Sequence, residues 1–88
     1  MTSGLAEIQV TVNFFSFFKD LAGCTCASQT VPGGSNLGNL ITALTARFPQ
    51  LKPLEGSMLS AVGVEYQGRD YVLQAGDEVS LFPPVQGG

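Results

Sequence analysis

The residues best suited to chemistry are the last ones, Leu81-Phe82-Pro83-Pro84-Val85-Gln86-Gly87-Gly88, where a Gly-Gly pair carries a carboxylate. Glycine has no Cβ, so two in succession make a thin backbone that fits a narrow channel any side chain would block. Such a pair offers a partner enzyme one group, the carboxylate of Gly88. Pro83 and Pro84 fix φ and cannot extend a hydrogen-bonded ladder, so they end the strand before them and hold the tail away from the domain. The plainer reading is that termini are commonly loose and polar, in a chain with 11 glycines among its 88 residues.

Other chemistries lack their residue types. There is no His, and only Cys24 and Cys26 carry thiols, so a zinc site has too few of its usual ligands. A disulfide between cysteines one residue apart would be strained on an extended backbone, which makes both free thiols. Two readings stay open for them: a redox or persulfide role, or small residues filling space beside a turn. Net charge is −3, with Lys19, Arg47, Lys52 and Arg69 the only cations. No basic stripe exists to neutralise a phosphate backbone, which argues against nucleic acid. No apolar run is long enough to span a bilayer and the N-terminus lacks the order of a signal peptide, so the expected location is cytoplasmic, with no membrane partner.

The elements that must position the tail follow from periodicity. The length suits one domain, residues 1–88, with 1–7 a loose leader and 83–88 a flexible tail. Ile8, Val10, Val12 and Phe14 alternate with Gln9, Thr11, Asn13 and Phe15, the pattern of a half-buried strand. Phe15 thus falls on the face opposite the core, where an aromatic needs a covering element or a partner. After a turn at Gly23, a second strand spans about Thr25 to Val31 and stops at Pro32-Gly33-Gly34. Ser35 or Asn36 caps a helix on which Leu37, Leu40, Ile41, Leu44 and Phe48 form one stripe, ending before Pro49. Gly38 weakens the first turn of that helix, without a reason visible in the sequence.

Gln50 to Ser57 reads as a loop tolerant of change, Leu59 to Tyr66 as a strand with Val62 and Val64 on one face, and Tyr71 to Leu73 as a short extended piece. Ala75-Gly76-Asp77-Glu78 makes a tight turn. In the last strand Val79 and Leu81 alternate with Ser80 and Phe82, putting Phe82 outward. The fold class is α+β, a mixed sheet of four to five strands with one main helix on one face. Parallel pairing of the first and last strands would bring Phe15 and Phe82 together.

Gly76-Asp77-Glu78-Val79 followed by Leu81-Phe82-Pro83-Pro84-Val85-Gln86-Gly87-Gly88 resembles the MoaD/ThiS family of ubiquitin-like sulfur carriers, whose fold is the β-grasp. The likeness is strongest to molybdopterin synthase small subunits, and Phe14-Phe15 ahead of Lys19-Asp20-Leu21-Ala22-Gly23 resembles that family's first strand and following turn. The resemblance implies that the Gly88 carboxylate is adenylated by a ubiquitin-activating-type adenylyltransferase (MoeB/ThiF-like), then converted to a thiocarboxylate that donates sulfur. A carboxylate is a poor electrophile, and AMP is a far better leaving group than oxide. The carrier itself would supply no catalytic side chain and bind no cofactor; ATP and Mg would belong to the activating enzyme. The resemblance also implies a sulfur-accepting partner such as the molybdopterin synthase large subunit (MoaE-like), met by Phe15, Phe82, Pro83, Pro84, Val85 and Gly87. Cys24-Thr25-Cys26 falls outside the family pattern.

The same tail suits a sulfur carrier for another thio-metabolite, thiamine or cysteine pathway, or a modifier joined to target lysines through Gly88. A plain binding module, with an incidental Gly-Gly, is the third class.

Overall fold

The computed structural model describes residues 6–84. Strand β1, Glu7–Phe14, runs through the middle of a sheet because its even positions are apolar: Val10, Val12 and Phe14 are buried, while Gln9 and Thr11 are exposed. It starts one residue before Ile8, so Glu7 belongs to the sheet, and the Gly33 N–H donates to the Ala6 carbonyl just ahead of it. The remainder of the expected leader lies outside the described residues.

Beyond Phe15 the chain reverses through Ser16, which holds φ at 58°, the left-handed region that favours glycine. A short helix, α1, Phe18–Ala22, follows where only a turn is legible in the sequence; Phe18 is wholly buried and Gly23 closes the helix at φ 79°. Strand β2, Cys26–Pro32, then pairs antiparallel with β1, from Glu7↔Pro32 to Asn13↔Cys26.

Helix α2, Leu37–Arg47, is capped by Asn36, whose side chain accepts from the Asn39 N–H at 2.8 Å while the Asn39 side chain accepts from the Asn36 N–H at 2.9 Å. Its stripe of Leu37, Leu40, Ile41 and Leu44 is buried against the sheet. Gly38 now has a reason: its N–H donates to the Arg69 carbonyl at 2.9 Å, and a Cβ would stand 3.3 Å from Asn36 Oδ1 and 3.5 Å from that carbonyl. The 69–71 segment therefore lies tight against the start of α2.

The stretch expected to be a tolerant loop is instead a 3-10 helix, Pro49–Leu54, that drives Leu51 fully into the core. Pro49 at its start has no N–H to waste, and Phe48, just before it, packs edge-on to Phe14 at 5.5 Å. The expected strand from Leu59 to Tyr66 is likewise two strands, β3 (Leu59–Val62) and β4 (Glu65–Tyr66), joined by Gly63-Val64 with Gly63 at φ 62°. A two-residue hairpin needs positive φ at its first central position, which Gly supplies. Val62 is half-buried and Val64, at the turn, is 98% exposed, so the two do not share a face.

Strand β5, Glu78–Phe82, completes a sheet of order β2-β1-β5-β3-β4. It runs parallel to β1, from Thr11↔Glu78 to Phe14↔Leu81, and antiparallel to β3, from Leu59↔Phe82 to Val62↔Val79. The expected mixed α+β sheet, with α2 on one face, is thus present; the last strand lies at its centre with the first beside it. Among the described residues no helix is long and apolar enough to cross a membrane.

Candidate functional site

The face of the sheet turned away from α2 carries the outward residues of every strand. On β1 and β5 these are polar up to the end where the tail departs. Asn13 Nδ2 donates to Glu78 Oε2 at 2.8 Å, tying the two strands side chain to side chain. Past them the face becomes aromatic. The Phe15 N–H donates to the Leu81 carbonyl at 3.2 Å, carrying the parallel ladder one residue beyond β1 and setting Phe15 beside Phe82. The two rings stack, with centroids 4.8 Å apart and planes 15° from parallel. Phe15 is 43% exposed and Phe82 is half-buried, so the stack is a surface feature rather than core.

Two further residues join it that the sequence reading did not single out. Leu59 is the register partner of Phe82 across β3–β5, and Tyr66, one strand further, places its ring 6.0 Å from Phe82. They are 37% and 69% exposed. The signal for both was Gly63: a hairpin there makes Tyr66 the partner of Ala61 and turns it to the outer face with Leu59. Phe15, Phe82, Leu59 and Tyr66 thus line up across β1, β5, β3 and β4.

Open clefts lie on either side of this line. One, of about 320 Å³, is bordered by Met58, Leu59, Tyr66 and Arg69; the other, of about 350 Å³, by Phe15, Lys19 and Cys26. Cys24 packs partly against the core and Cys26 is exposed; both thiols are free. Pro83 and Pro84 are half-buried and carry the chain off the end of β5. Val85, Gly87 and Gly88, expected to meet a partner or carry the reactive carboxylate, lie outside the described residues.

Electrostatics at the patch are quiet. Lys19 is the one cation bordering the Phe15 cleft, and the one ion pair among the described residues, Lys52–Glu55 at 3.1 Å, lies on the helix side. The perturbed titration belongs to the turn before β5: the Tyr71 hydroxyl donates to Asp77 Oδ2 at 3.0 Å. That bond, desolvation and the carboxylate's negative charge all favour the neutral phenol and raise the Tyr71 pKa above its usual 10.0. Asp77 Oδ2 also accepts from the Gln74 N–H at 2.9 Å, which fixes the turn that launches β5. Among the described residues no three His, Cys, Asp or Glu side chains converge to hold a metal ion. The site has an exposed aromatic face and a strand leading to Pro83-Pro84, with Lys19 and the Cys26 thiol at the Phe15 end and Arg69 at the Tyr66 end.

The ThiS family profile matches residues 12–88. The chain is 30% identical over 83 residues to a human molybdopterin synthase sulfur carrier subunit, covering 91% of this chain and 94% of that one. It is also 30% identical over 82 residues to small archaeal modifier protein 1 of Haloferax volcanii, covering 84% and 94%. Among solved structures, a provisionally assigned molybdopterin converting factor subunit 1 from Pyrococcus furiosus superposes with a TM-score of 0.81 at 29% identity, covering 89% of this chain and 99% of that one. A chain in the complex of subunits 1 and 2 of the molybdopterin-converting factor from Helicobacter pylori matches with a TM-score of 0.61 at 27% identity, covering 92% and 100%. The sheet order, the covering helix and these likenesses agree: the chain is a β-grasp protein of the ThiS family, the MoaD/ThiS group of ubiquitin-like sulfur carriers.

Proposed function

We propose that this protein carries sulfur as a thiocarboxylate on Gly88 and delivers it within molybdopterin synthesis, docking through the Phe15–Phe82 stack. The observation that carries the reading is the stack's position: it sits where β5 gives way to Pro83-Pro84, so a partner covering it has the tail at hand. A solvent-exposed aromatic pair is the usual anchor of a protein interface, and one built on two adjacent central strands is rigid before binding.

The chain's own groups then divide the work. Gly88 would present its carboxylate to an adenylyltransferase that brings ATP and Mg; Gly87 would leave the channel unobstructed; Pro83 and Pro84 carry the chain off β5, and Val85 would meet the partner. The identity to a molybdopterin synthase sulfur carrier subunit and the likeness to a chain from a two-subunit complex support a large-subunit, MoaE-like acceptor. The reaction needs no acid or base from the carrier, because AMP is the leaving group and the sulfur donor the nucleophile.

The test is intact-mass spectrometry of the chain after incubation with a cognate activating enzyme, ATP and a sulfur source. Replacement of one oxygen by sulfur at the C-terminus is expected; an unmodified chain under conditions that sulfurate a control carrier would sink the proposal. The identity to an archaeal modifier protein favours a second reading, conjugation of Gly88 to lysines. Isopeptide-linked Gly88 recovered from a denaturing pull-down would establish that outcome, and truncation of Gly87-Gly88 would abolish both.

A further inference from the structure

Strand β2 is an edge of the sheet, and its sequence, Cys26-Ala27-Ser28-Gln29-Thr30-Val31-Pro32, contains no charge. Edge strands normally carry charges, bulges or prolines that stop them pairing with another chain; here only Pro32, at the end, does so. The ladder to β1 shows which backbone groups are left over. The Phe14 N–H donates to the Thr25 carbonyl, so hydrogen-bonded positions on this side fall at 25, 27, 29 and 31. The N–H and C=O groups of Cys26, Ser28 and Thr30 therefore point away from β1. All three residues are exposed.

Two of those three carbonyls are covered by side chains. Arg47, from the last turn of α2, donates through Nη1 to the Ser28 carbonyl at 2.7 Å and to Gln29 Oε1 at 3.0 Å. Gln29 Nε2 donates in turn to the Thr30 carbonyl at 3.2 Å. The guanidinium is held over the Phe48 ring, 4.9 Å from its centroid. Arg47 and Gln29 form a clasp over the acceptor groups of an otherwise unguarded edge.

We infer that the β2 edge is a self-association surface, on which a second copy of this chain pairs antiparallel about Ser28, and that the Arg47–Gln29 clasp restrains it. The strand matches itself across such an axis. Ser28 exchanges both its bonds with the partner copy's Ser28, and Cys26 meets Thr30 on either side. Ala27 faces Gln29. No like charges oppose one another within the strands. The two Arg47 side chains would meet at the axis, where they repel and compete for the central carbonyls. The pairing makes one continuous sheet with both aromatic patches on the same side and at opposite ends, so neither tail is blocked.

The experiment is sedimentation velocity of the full chain over a concentration series, under reductant so that Cys26 cannot cross-link, with amide exchange read by NMR. Arg47→Ala should tighten dimerisation about tenfold or more, the scale of one charge-assisted hydrogen bond removed from competition. The Cys26, Ser28 and Thr30 amides should gain protection as concentration rises. Adding Ser28→Lys, which sets a lysine against itself across the axis, should return the monomer at low salt. Gln29→Ala, which uncovers the Thr30 carbonyl, should shift association in the same direction as Arg47→Ala and serves if the latter fails to fold. Unchanged sedimentation of a folded clasp variant would overturn the inference. So would a dimer that survives Ser28→Lys, or one whose protection falls on Phe15, Phe82 and Tyr66.

Discussion

Phe82 and Leu81 are neighbours in β5 with opposite duties, and truncating each separates docking from folding. Leu81 is fully buried, so Leu81→Ala removes core contacts and leaves a cavity, at about 2–5 kcal/mol of stability. Phe82 is half-buried, and its neighbours Phe15, Leu59 and Tyr66 are themselves partly exposed. Phe82→Ala therefore forfeits the stack, about 0.5–1.5 kcal/mol beyond burial, and roughly half the transfer free energy of the ring. The sum is about 1.3–3 kcal/mol, at or below the lower end of the ~3–5 kcal/mol of a core phenylalanine. Binding should show the reverse ranking. An anchoring aromatic at the centre of an interface costs about 2 kcal/mol or more when removed, roughly thirtyfold in Kd. Leu81→Ala, corrected for its folded fraction, should leave affinity close to unchanged. Urea denaturation gives the first pair of numbers and calorimetric titration against the cognate sulfur-accepting subunit the second. A loss of 4 kcal/mol from Phe82→Ala, or an unaltered Kd, would refute the assignment of the stack as a docking face.

Three more perturbations test the scaffold. Leu51→Ala should destabilise by about 2–5 kcal/mol in denaturant, because the 3-10 helix buries this side chain completely, whereas substitution at exposed Gln50 should stay within about 0.5 kcal/mol. Asn36→Ala removes one half of a reciprocal cap and should cost about 1 kcal/mol, with increased amide exchange at Asn39. The Tyr71 phenol should titrate above 10.0 by NMR and fall back toward that value in Asp77→Asn. Since the folded state favours the protonated phenol, this contribution is complete below the ordinary tyrosine range and is lost as pH rises through the elevated value.

Much of the aromatic face was legible because strand alternation has a period of two. Val10, Val12 and Phe14 left Phe15 on the other side, and Val79 and Leu81 did the same for Phe82. The stack needed one thing alternation does not encode, the parallel pairing of β1 with β5. Helix α2 was equally plain, with its cap, its apolar stripe and Pro49 after it. The misreadings share a cause: elements too short for periodicity to emerge. Helix α1 has five residues and presents one buried aromatic, Phe18, indistinguishable in sequence from its exposed neighbour Phe17. Pro49 and Pro53 read as breakers, yet a 3-10 turn tolerates both, with Leu51 buried in the core and Leu54 packed against it. Gly63-Val64 lacks the polar turn residues that mark a hairpin, and apolar Val64 prolonged the apparent strand. With that turn hidden, alternation put Tyr66 on the face of Val62 and Val64, and half of the patch, Leu59 and Tyr66, went unseen.

The placement of β5 between β1 and β3 has a mechanical consequence. Any enzyme that draws the Gly-Gly end into a channel pulls on Pro84, and through it along the axis of β5. The hydrogen bonds of both ladders lie across that pull, perpendicular to it toward β3 and slanted toward β1, so they are sheared together instead of opening one after another as at a peeled edge. Tension applied to the tail is thus spread over the centre of the sheet, and the domain can be handled by its C-terminal end without being unravelled from it.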